Sequence, residues 1–360
     1  MLDREFWTGR RVLVTGHTGF KGSWLLLLLN QLGAEVWGYA LEPVSNNELF
    51  AVLSCETGFS RTFSHNIGDL GEREKLERIV QYSQPEVVIH LAAQALVRRA
   101  YQDPIGTWNT NLNGSLHVLE ALRAIDHRCA VVMVTTDKVY RNMEWTYGYR
   151  ELDRLGGHDP YSASKAAAEL AIDSWRQSFC GIKANQNPYL CIATARAGNV
   201  IGGGDWAEDR IVPDAVRALV DGKPIPIRNP EATRPWQHVL EPLCGYLKLS
   251  ESLACNMQPP CEPFNFGPSL SSNKPVSELV NTMLNYWEGT WVDQSETDAP
   301  HEATLLHLQI DKAVQRLDWK PQWDYETTVE RTVNWYLKYH KGSSAMSCCN
   351  SDLSAYLETV

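Results

Sequence analysis

Short apolar runs alternate with longer helical patterns through the first half of the chain. The runs are nearly continuous in apolar residues, which is expected of strands whose two faces are both covered by helices. The clearest are Arg11–Thr15, Glu35–Tyr39, Val87–Leu91, Ala130–Thr135 and Leu190–Arg196. This strand–helix–strand alternation predicts an α/β fold with a doubly wound parallel sheet of the Rossmann type.

The pattern changes after about residue 199, where Gly202–Gly204 and a proline-rich stretch over 213–235 interrupt the alternation. Helical patterns follow at Lys274–Trp287 and Thr327–His340. We therefore expect a Rossmann domain and a second, smaller α/β lobe that binds substrate, followed by a mobile tail. The predicted boundaries are 1–198 for the Rossmann domain, to which 235–258 returns, 199–341 for the lobe, and 342–360 for the tail.

Composition and charge narrow the possible functions. The chain has 360 residues, is 44% hydrophobic and carries a net charge of −10, which favours a folded protein and no nucleic-acid partner. The longest apolar run, Trp24–Leu29, is far too short to cross a membrane, and the polar N-terminus does not resemble a secretory signal. Nine cysteines without a C-x-x-C pair indicate reduced thiols in a cytoplasmic protein. The histidines lack metal-ligand spacing, so we expect no metal.

A glycine-rich turn follows the first predicted strand and opens a helix. Glycines at this place allow a tight turn and let backbone N–H groups approach a pyrophosphate at the helix N-terminus. The alternative is an ordinary glycine-rich turn between a strand and a helix. The candidate cofactor-binding residues of the turn are Gly16, Thr18, Gly19, Phe20, Lys21 and Gly22.

The residues after the next two strands bear on the choice of cofactor. An acid that binds the ribose hydroxyls is expected at the end of the second strand, where Ala40 stands, with Glu42 two residues later. No arginine follows to pair with a 2′-phosphate, so we favour NAD over NADP. Asp69, before Leu70, ends a predicted third strand; it either faces the adenine or caps a helix.

Two groups of polar residues suggest catalysis. Tyr161 and Lys165 lie four apart, so a helix places them on one face, and a nearby ammonium lowers the pKa of a phenol from its usual value of about 10. Thr136, Asp137 and Lys138 follow the strand Ala130–Thr135, at the sheet edge where ligands bind. Thr136 can donate a hydrogen bond to a substrate oxygen beside Tyr161. The alternative, a polar turn at the end of a strand, is retained for Thr135 but not for these three residues.

Together these motifs resemble the extended short-chain dehydrogenase/reductase family, in its nucleotide-sugar branch. The similarity spans nearly the whole chain and includes His90–Gln94, Asn111, Arg196–Gly204 and Arg234–Val239. It implies NAD as the cofactor and a homodimer or homotetramer as the assembly. It also implies further cofactor contacts at Asp69, Leu70, Leu91, Ala92, Ala93, Tyr161 and Lys165, and substrate contacts at Gln94, Asn199, Arg210, Arg234 and Glu302. Arg210 and Glu302 are equally compatible with ordinary surface positions.

The stretches 16–25, 149–170 and 196–214 resemble those members of the family that dehydrate CDP-glucose, and this resemblance implies CDP-glucose as the substrate and a dehydration in three stages. In the implied reaction Tyr161 and Lys165 take the C4 hydroxyl proton as hydride leaves C4, Asp137 protonates the departing C6 hydroxyl, and hydride returns to C6. Lys138 stands where related dehydratases carry a glutamate that acts as the C5 base, so its role in the elimination is open. The alternatives are a nucleotide-sugar 4-epimerase, which needs no Asp137–Lys138 pair, and a non-catalytic protein that senses dinucleotides.

Overall fold

The computed structural model describes residues 2–295 and 305–360. Its centre is a seven-stranded, wholly parallel sheet, which confirms the predicted doubly wound fold. The strands in chain order are β1 (Arg11–Thr15), β2 (Glu35–Ala40), β3 (Phe63–Ile67), β4 (Val87–His90), β5 (Cys129–Val134), β6 (Leu190–Ala197), β7 (Val200–Ile201), β8 (Ile225–Ile227), β9 (Thr233–Pro235), β10 (Gln237–His238), β11 (Pro263–Phe266), β12 (Asn273–Pro275) and β13 (Trp291–Asp293).

Helices cover both faces of this sheet and build most of the second lobe. They are α1 (Arg4–Trp7), α2 (Phe20–Gln31), α3 (Leu49–Ser54), α4 (Arg73–Ser83), α5 (Val97–Gln102), α6 (Pro104–Trp108), α7 (Gly114–Leu122), α8 (Pro160–Phe179), α9 (Ile211–Val220), α10 (Leu240–Cys255), α11 (Val276–Leu284), α12 (Asp311–Leu317), α13 (Tyr325–His340) and α14 (Ala345–Leu357). Short 3₁₀ turns lie at Phe59–Arg61, Asp137–Val139 and Leu270–Ser272, and a π-helical turn at Asn109–Asn113.

The order of the strands places a ligand crevice in the sheet. The order is β3-β2-β1-β4-β5-β6-β11, so the winding direction reverses between β1 and β4. Ligands of doubly wound sheets bind at such a reversal, outside the carboxyl ends of the strands. Every residue of β4 and β5 is buried, which explains why these strands read as continuous apolar runs.

The run of leucines in α2 belongs to the protein core. Leu25–Leu29 are all buried, because this helix packs against β2 of the sheet and against α3 and α10. Among the described residues, no helix combines the length and the apolar character that crossing a bilayer requires.

The π-helical turn at Asn109–Asn113 separates α6 from α7. Within that turn the buried Asn111 accepts a hydrogen bond from the Gln94 backbone N–H (2.9 Å) and donates one to Ser164 Oγ (2.9 Å). The turn thereby ties the loop after β4 to α8. Turns of this kind often occur at functional sites, because the extra residue reorients a side chain.

The second lobe contains three two-stranded sheets. They pair β7 with β10, β8 with β13, and β9 with β12. The strand β11 differs from our expectation, since we assigned its residues to the lobe whereas it extends the Rossmann sheet beside β6. Helix α10, within the segment expected to return to the Rossmann domain, packs against β5 and β6.

The expected mobile tail is wrong for most of its length, since Ala345–Leu357 form α14. Ser344 caps this helix by accepting from the Ser347 N–H (3.1 Å). Its inner face buries Cys348, Cys349, Leu353 and Tyr356 against the core. The buried residues of this segment are spaced as on one face of a helix, but the serine-rich composition led us to expect disorder.

Candidate active site

A cavity of about 1000 Å³ lies between the carboxyl ends of the sheet strands and the second lobe. It brings together every candidate site residue that the structure describes. Glu302 lies outside the described residues. The candidates that line the cavity are Gly16, Thr18, Gly19, Phe20, Lys21, Gly22, Asp69, Leu70, Leu91, Ala92, Ala93, Gln94, Thr136, Asp137, Lys138, Tyr161, Lys165, Asn199, Arg210 and Arg234.

The glycine turn between β1 and α2 has a shape that side chains would fill. Gly16 has φ +74°, and a Cβ there would lie 2.6 Å from the Ala92 backbone nitrogen. A Cβ on Gly22 would lie 2.2 Å from the Gly16 carbonyl oxygen. Gly19 is the N-cap of α2 and supplies no side-chain cap, so the first-turn N–H groups face the cavity without one. These residues fit the pyrophosphate of a dinucleotide.

The wall beside the turn is apolar at the position where a ribose-binding acid was sought. Thr18 Oγ1 donates to the Leu41 carbonyl (2.8 Å) and fixes the turn against the end of β2, where Ala40 and Leu41 line the cavity. Asp69 lines the cavity and also accepts from the Gly71 N–H (2.7 Å). Helix α4 begins only at Arg73, so Asp69 stabilises the preceding turn and does not occupy the N-cap position.

Helix α8 places Tyr161 at the cavity wall. Asp159 caps the helix by accepting from the Ser162 N–H (3.0 Å), and Pro160 occupies the first turn, so the helix starts just before Tyr161. Lys165 is buried one turn later on the same face, and its Nζ donates to the Val134 carbonyl (3.3 Å).

Burial dominates the titration of this pair. It raises the pKa of Tyr161 to about 12, although a hydrogen bond with Thr136 and the charge of Arg210 act in the opposite direction. Burial also lowers the pKa of Lys165 to about 8, partly offset by Glu169. The structure therefore differs from the expectation of a lowered tyrosine pKa, because removing a phenolate from water outweighs the favourable charges around it.

Asp137 and Lys138 lie next to this pair in the 3₁₀ turn after β5. Thr136 Oγ1 donates to Asp137 Oδ1 (2.9 Å), whereas the buried Oδ2 has no hydrogen-bond partner within the described parts of the chain. Burial raises the pKa of the Asp137 carboxyl above its usual value of 3.8, with Lys138 acting in the opposite direction. The Lys138 ammonium lies 5.9 Å from the centre of the Tyr161 ring. A protonated Asp137 can therefore donate to a ligand beside Tyr161.

Cationic side chains line the cavity towards the second lobe. Arg210 pairs with the buried carboxylate of Asp205 (2.8 Å), and Arg234 donates to the Thr233 carbonyl (3.0 Å). Arginine suits diphosphate because its planar fork can donate two parallel hydrogen bonds.

Sequence reasoning missed three charged residues at the edge of the cavity. Asp209 contacts both Arg228 and Arg98. These three residues belong to three different parts of the chain. No local spacing rule connects them, since Asp209 and Arg228 are separated by the whole of α9.

The buried His90 has a structural role at the sheet edge. His90 Nδ1 and Thr15 Oγ1 lie 2.7 Å apart and join the ends of β4 and β1. Burial lowers the pKa of His90 to about 3, so the ring is neutral. The residues that the structure describes contain no group of three or more His, Cys, Asp or Glu side chains placed to hold a metal ion.

Comparison with known proteins agrees with this arrangement. The family model described as GDP-mannose 4,6 dehydratase matches residues 13–251. A CDP-glucose 4,6-dehydratase from Salmonella typhimurium is 42% identical over 100% of this chain and 99% of the relative. The chain therefore belongs to the GDP-mannose 4,6-dehydratase family, within the extended short-chain dehydrogenase/reductases, which confirms the resemblance inferred from the sequence.

Solved structures show the same fold. A dTDP-glucose 4,6-dehydratase from Streptomyces venezuelae, solved with NAD and TYD bound, has a TM-score of 0.78 at 23% identity, with 92% of this chain and 98% of that one covered. A UDP-glucose 4-epimerase from Thermotoga maritima has a TM-score of 0.75 at 22% identity, with 91% and 99% covered. Dehydratases and epimerases share the fold, so the choice between them depends on residues of the site.

Proposed function

We propose that this protein is an NAD-dependent dehydratase that converts CDP-glucose into CDP-4-keto-6-deoxyglucose and water. The observation that carries the proposal is the buried Asp137 carboxyl beside Tyr161, with an Oδ2 that lacks a partner among the described residues. A 4-epimerase has no use for an acid at this place, whereas a dehydratase must protonate a leaving hydroxyl. The full-length relative from Salmonella typhimurium supports the choice of the CDP-sugar.

The cavity supplies the groups that NAD needs. The glycine turn would hold the pyrophosphate, Asp69 and Leu70 would lie at the adenosine end, and Leu91, Ala92 and Ala93 would form the opposite wall. Tyr161 and Lys165 would reach the nicotinamide end. NAD held by these residues would supply the hydride chemistry of the reaction, as acceptor for hydride from C4 and as donor to C6.

The side chains of the chain handle the protons of this reaction. Tyr161 takes the C4 hydroxyl proton, and Thr136 donates a hydrogen bond to the C4 oxygen. The C4 ketone acidifies the C5–H bond, and Asp137 protonates the C6 hydroxyl so that water leaves across C5 and C6. The charge of Arg210 and the hydrogen bond with Thr136 favour the phenolate of Tyr161. Gln94, Asn199, Arg210 and Arg234 bind the sugar and the diphosphate.

Lys138 contributes to the elimination step in this proposal. Its ammonium faces the ring of Tyr161 from the same turn that carries Asp137. At this position it either removes the C5 proton as a neutral amine or stabilises the enolate that forms when another group removes that proton.

A labelled substrate tests the reaction. The protein is incubated with CDP-glucose deuterated at C4, and the product is analysed by mass spectrometry and NMR. Deuterium at C6 together with loss of water is the expected result. Deuterium retained at C4 with inverted configuration would instead identify an epimerase. An unchanged substrate would contradict the proposed activity.

We also propose a homodimer or homotetramer that works in the cytoplasm. Apolar side chains at Tyr101, Ile105 and Leu170 are exposed on the helices α5, α6 and α8, which supports an assembly through that region. All nine cysteines lie within the described residues as free thiols, as is usual in a reducing compartment. Analytical ultracentrifugation of the protein would establish the number of subunits.

A further inference from the structure

The edge of the cavity carries an ion-pair network that the proposed chemistry does not use. Asp209 Oδ1 lies 2.5 Å from Arg228 Nη1 and 3.5 Å from Arg98 Nη1. All three residues line the cavity. Their side chains are 38–42% exposed, so a ligand in the cavity can reach them.

The position of Asp209 in the chain connects this network with the substrate. Asp209 directly precedes Arg210, which the proposed function assigns to the diphosphate, and Arg228 directly follows β8. The dinucleotide fits the glycine turn and the sugar must lie at Tyr161. The nucleoside of the substrate therefore extends from Arg210 towards the lobe, past Asp209.

The backbone and the neighbouring surface suit a base at this place. Asp209 has φ +61°, a left-handed conformation that is uncommon outside glycine and that costs energy unless the surroundings hold it. Pro226 and Ile227 line the same part of the cavity and offer an apolar surface to the plane of a base. A second carboxylate, Asp214, lies 3.8 Å from Arg228 Nη2 and helps to orient the guanidinium.

We infer that Asp209 and Arg228 together read the hydrogen-bonding edge of cytosine; this inference rests on the proposed function. An ionised carboxylate only accepts hydrogen bonds, and a guanidinium only donates them. Cytosine presents a donor at its 4-amino group and acceptors at N3 and O2. Asp209 accepts from the amino group while Arg228 donates to N3 and O2, so the pair offers the pattern that guanine offers to cytosine in a duplex.

The same pair rejects uracil and thymine. Those bases place a carbonyl oxygen at C4 and an N–H at N3, so the oxygen would face the carboxylate and the N–H would face the guanidinium. Both contacts leave polar groups unpaired at the moment when the ligand excludes water from them. The network therefore selects a CDP-sugar over a UDP-sugar or a dTDP-sugar by repulsion as well as by attraction.

The experiment compares kcat/KM for CDP-glucose and UDP-glucose in the full-length protein and its variants. Asp209→Asn keeps the shape of the side chain but can present either an oxygen or an amino group. Arg228→Gln replaces the guanidinium by a shorter, neutral amide that can also present either an oxygen or an amino group. Each substitution is expected to reduce the CDP-over-UDP ratio at least about tenfold, because each removes at least one charge-assisted hydrogen bond. Asp221→Asn breaks the exposed 2.8 Å pair with Lys223 and should leave the ratio unchanged.

A binding measurement separates base reading from a structural role and from the proposed reaction. Inhibition or binding constants for CMP and UMP are expected to favour CMP in the unaltered protein and to converge in both variants. Equal losses for the two nucleotides, with the ratio preserved in both variants, would overturn the inference. Failure of the unaltered protein to convert CDP-glucose would instead count against the proposed function, whereas the CMP-to-UMP ratio would still test the inference.

Discussion

Glu169 and Arg196 form an ion pair between α8 and β6 at 2.8 Å, and their side chains are only 2% and 3% exposed. The carboxylate of Glu169 also accepts from Thr135 Oγ1 (2.5 Å) and Thr194 Oγ1 (2.8 Å). Glu169 lies one turn after Lys165, so this network holds the helix that carries Tyr161 and Lys165 against the end of the sheet. Both charges are fully paired, which offsets the cost of burying them.

Glu169→Gln is expected to lower the free energy of unfolding by about 3–5 kcal/mol, since it leaves the buried guanidinium without its counter-charge. Urea denaturation followed by circular dichroism measures the loss. The exposed pair Asp221–Lys223 provides the control, because Asp221→Asn should cost less than about 1 kcal/mol. A loss of similar size in the two variants would show that the buried pair does not stabilise the fold.

Tyr161→Phe removes the group that accepts the C4 hydroxyl proton. We expect kcat to fall by roughly 10²–10⁴, while the fold and nucleotide binding remain, because the phenol contributes a proton transfer and only a small share of the packing. Steady-state turnover of CDP-glucose, together with the CMP binding constant, checks both parts. Full-speed turnover in this variant would refute the role of Tyr161.

Asp137→Asn should separate oxidation from dehydration. Transient oxidation at C4 is expected to persist, whereas release of water should fall, because an amide cannot protonate the departing hydroxyl. Burial raises the pKa of Asp137 above its usual 3.8, so the active protonated form persists to higher pH than for an exposed carboxyl. Dehydration by the unaltered protein should therefore decline as the pH rises through that raised pKa, and a profile without this decline would contradict the assignment.

Lys138→Met should slow exchange of the C5 proton with solvent and leave the initial C4 oxidation measurable. Incorporation of deuterium at C5 from D₂O, followed by NMR, gives the exchange rate. Lys223→Met removes an exposed lysine far along the chain and serves as the control. Unchanged turnover in Lys138→Met would rule out a part for this lysine in the elimination.

Glu241 makes the stability of the fold depend on pH. It accepts from the Gln322 and Trp323 N–H groups (3.0 and 2.7 Å) and from Tyr356 Oη (2.7 Å), and burial raises its pKa from 4.5 to about 7. A raised pKa means that the folded state binds more protons than the unfolded state between these values. This group's contribution to stability is therefore complete below pH 4.5 and is lost as the pH rises through about 7, by at most about 1.4 kcal/mol per pH unit.

The variant Glu241→Gln cannot titrate, so its unfolding free energy should depend less steeply on pH over that window. Chemical denaturation at several pH values compares the two proteins. Parallel pH profiles would show that Glu241 does not titrate in this range.

Local patterns were sufficient to predict the sheet and the glycine turn. The apolar runs predicted five of the first six strands to within one residue at each end, and the turn of Gly16–Gly22 lies where a strand passes into a helix. These features depend on neighbours in the sequence. The position of Thr136, Asp137 and Lys138 beside the cavity could be predicted for a similar reason, since ligands bind outside the carboxyl ends of parallel strands.

Features that depend on distant residues could not be predicted in this way. The pKa of Tyr161 depends on how completely the lobe buries it, and no spacing between residues 161 and 165 reports that burial. The contact of Asp209 with Arg228 exists only after α9 has folded back. The tail was misjudged because its large apolar residues are few and stand among serines, and contacts with α3 and α13, which are distant in the sequence, favour a helix there.

The position of α14 has a consequence for biosynthesis. This last helix packs on α3, and the Met346 N–H donates to Glu56 (3.1 Å), so residues near the end of the chain cover a surface made by the first sixty. A ribosome synthesises Met346 only 290 residues after Glu56. The Rossmann half is thus translated early but keeps part of its apolar surface uncovered until α14 has been made, and exposed apolar surface of this kind favours aggregation of a folding intermediate.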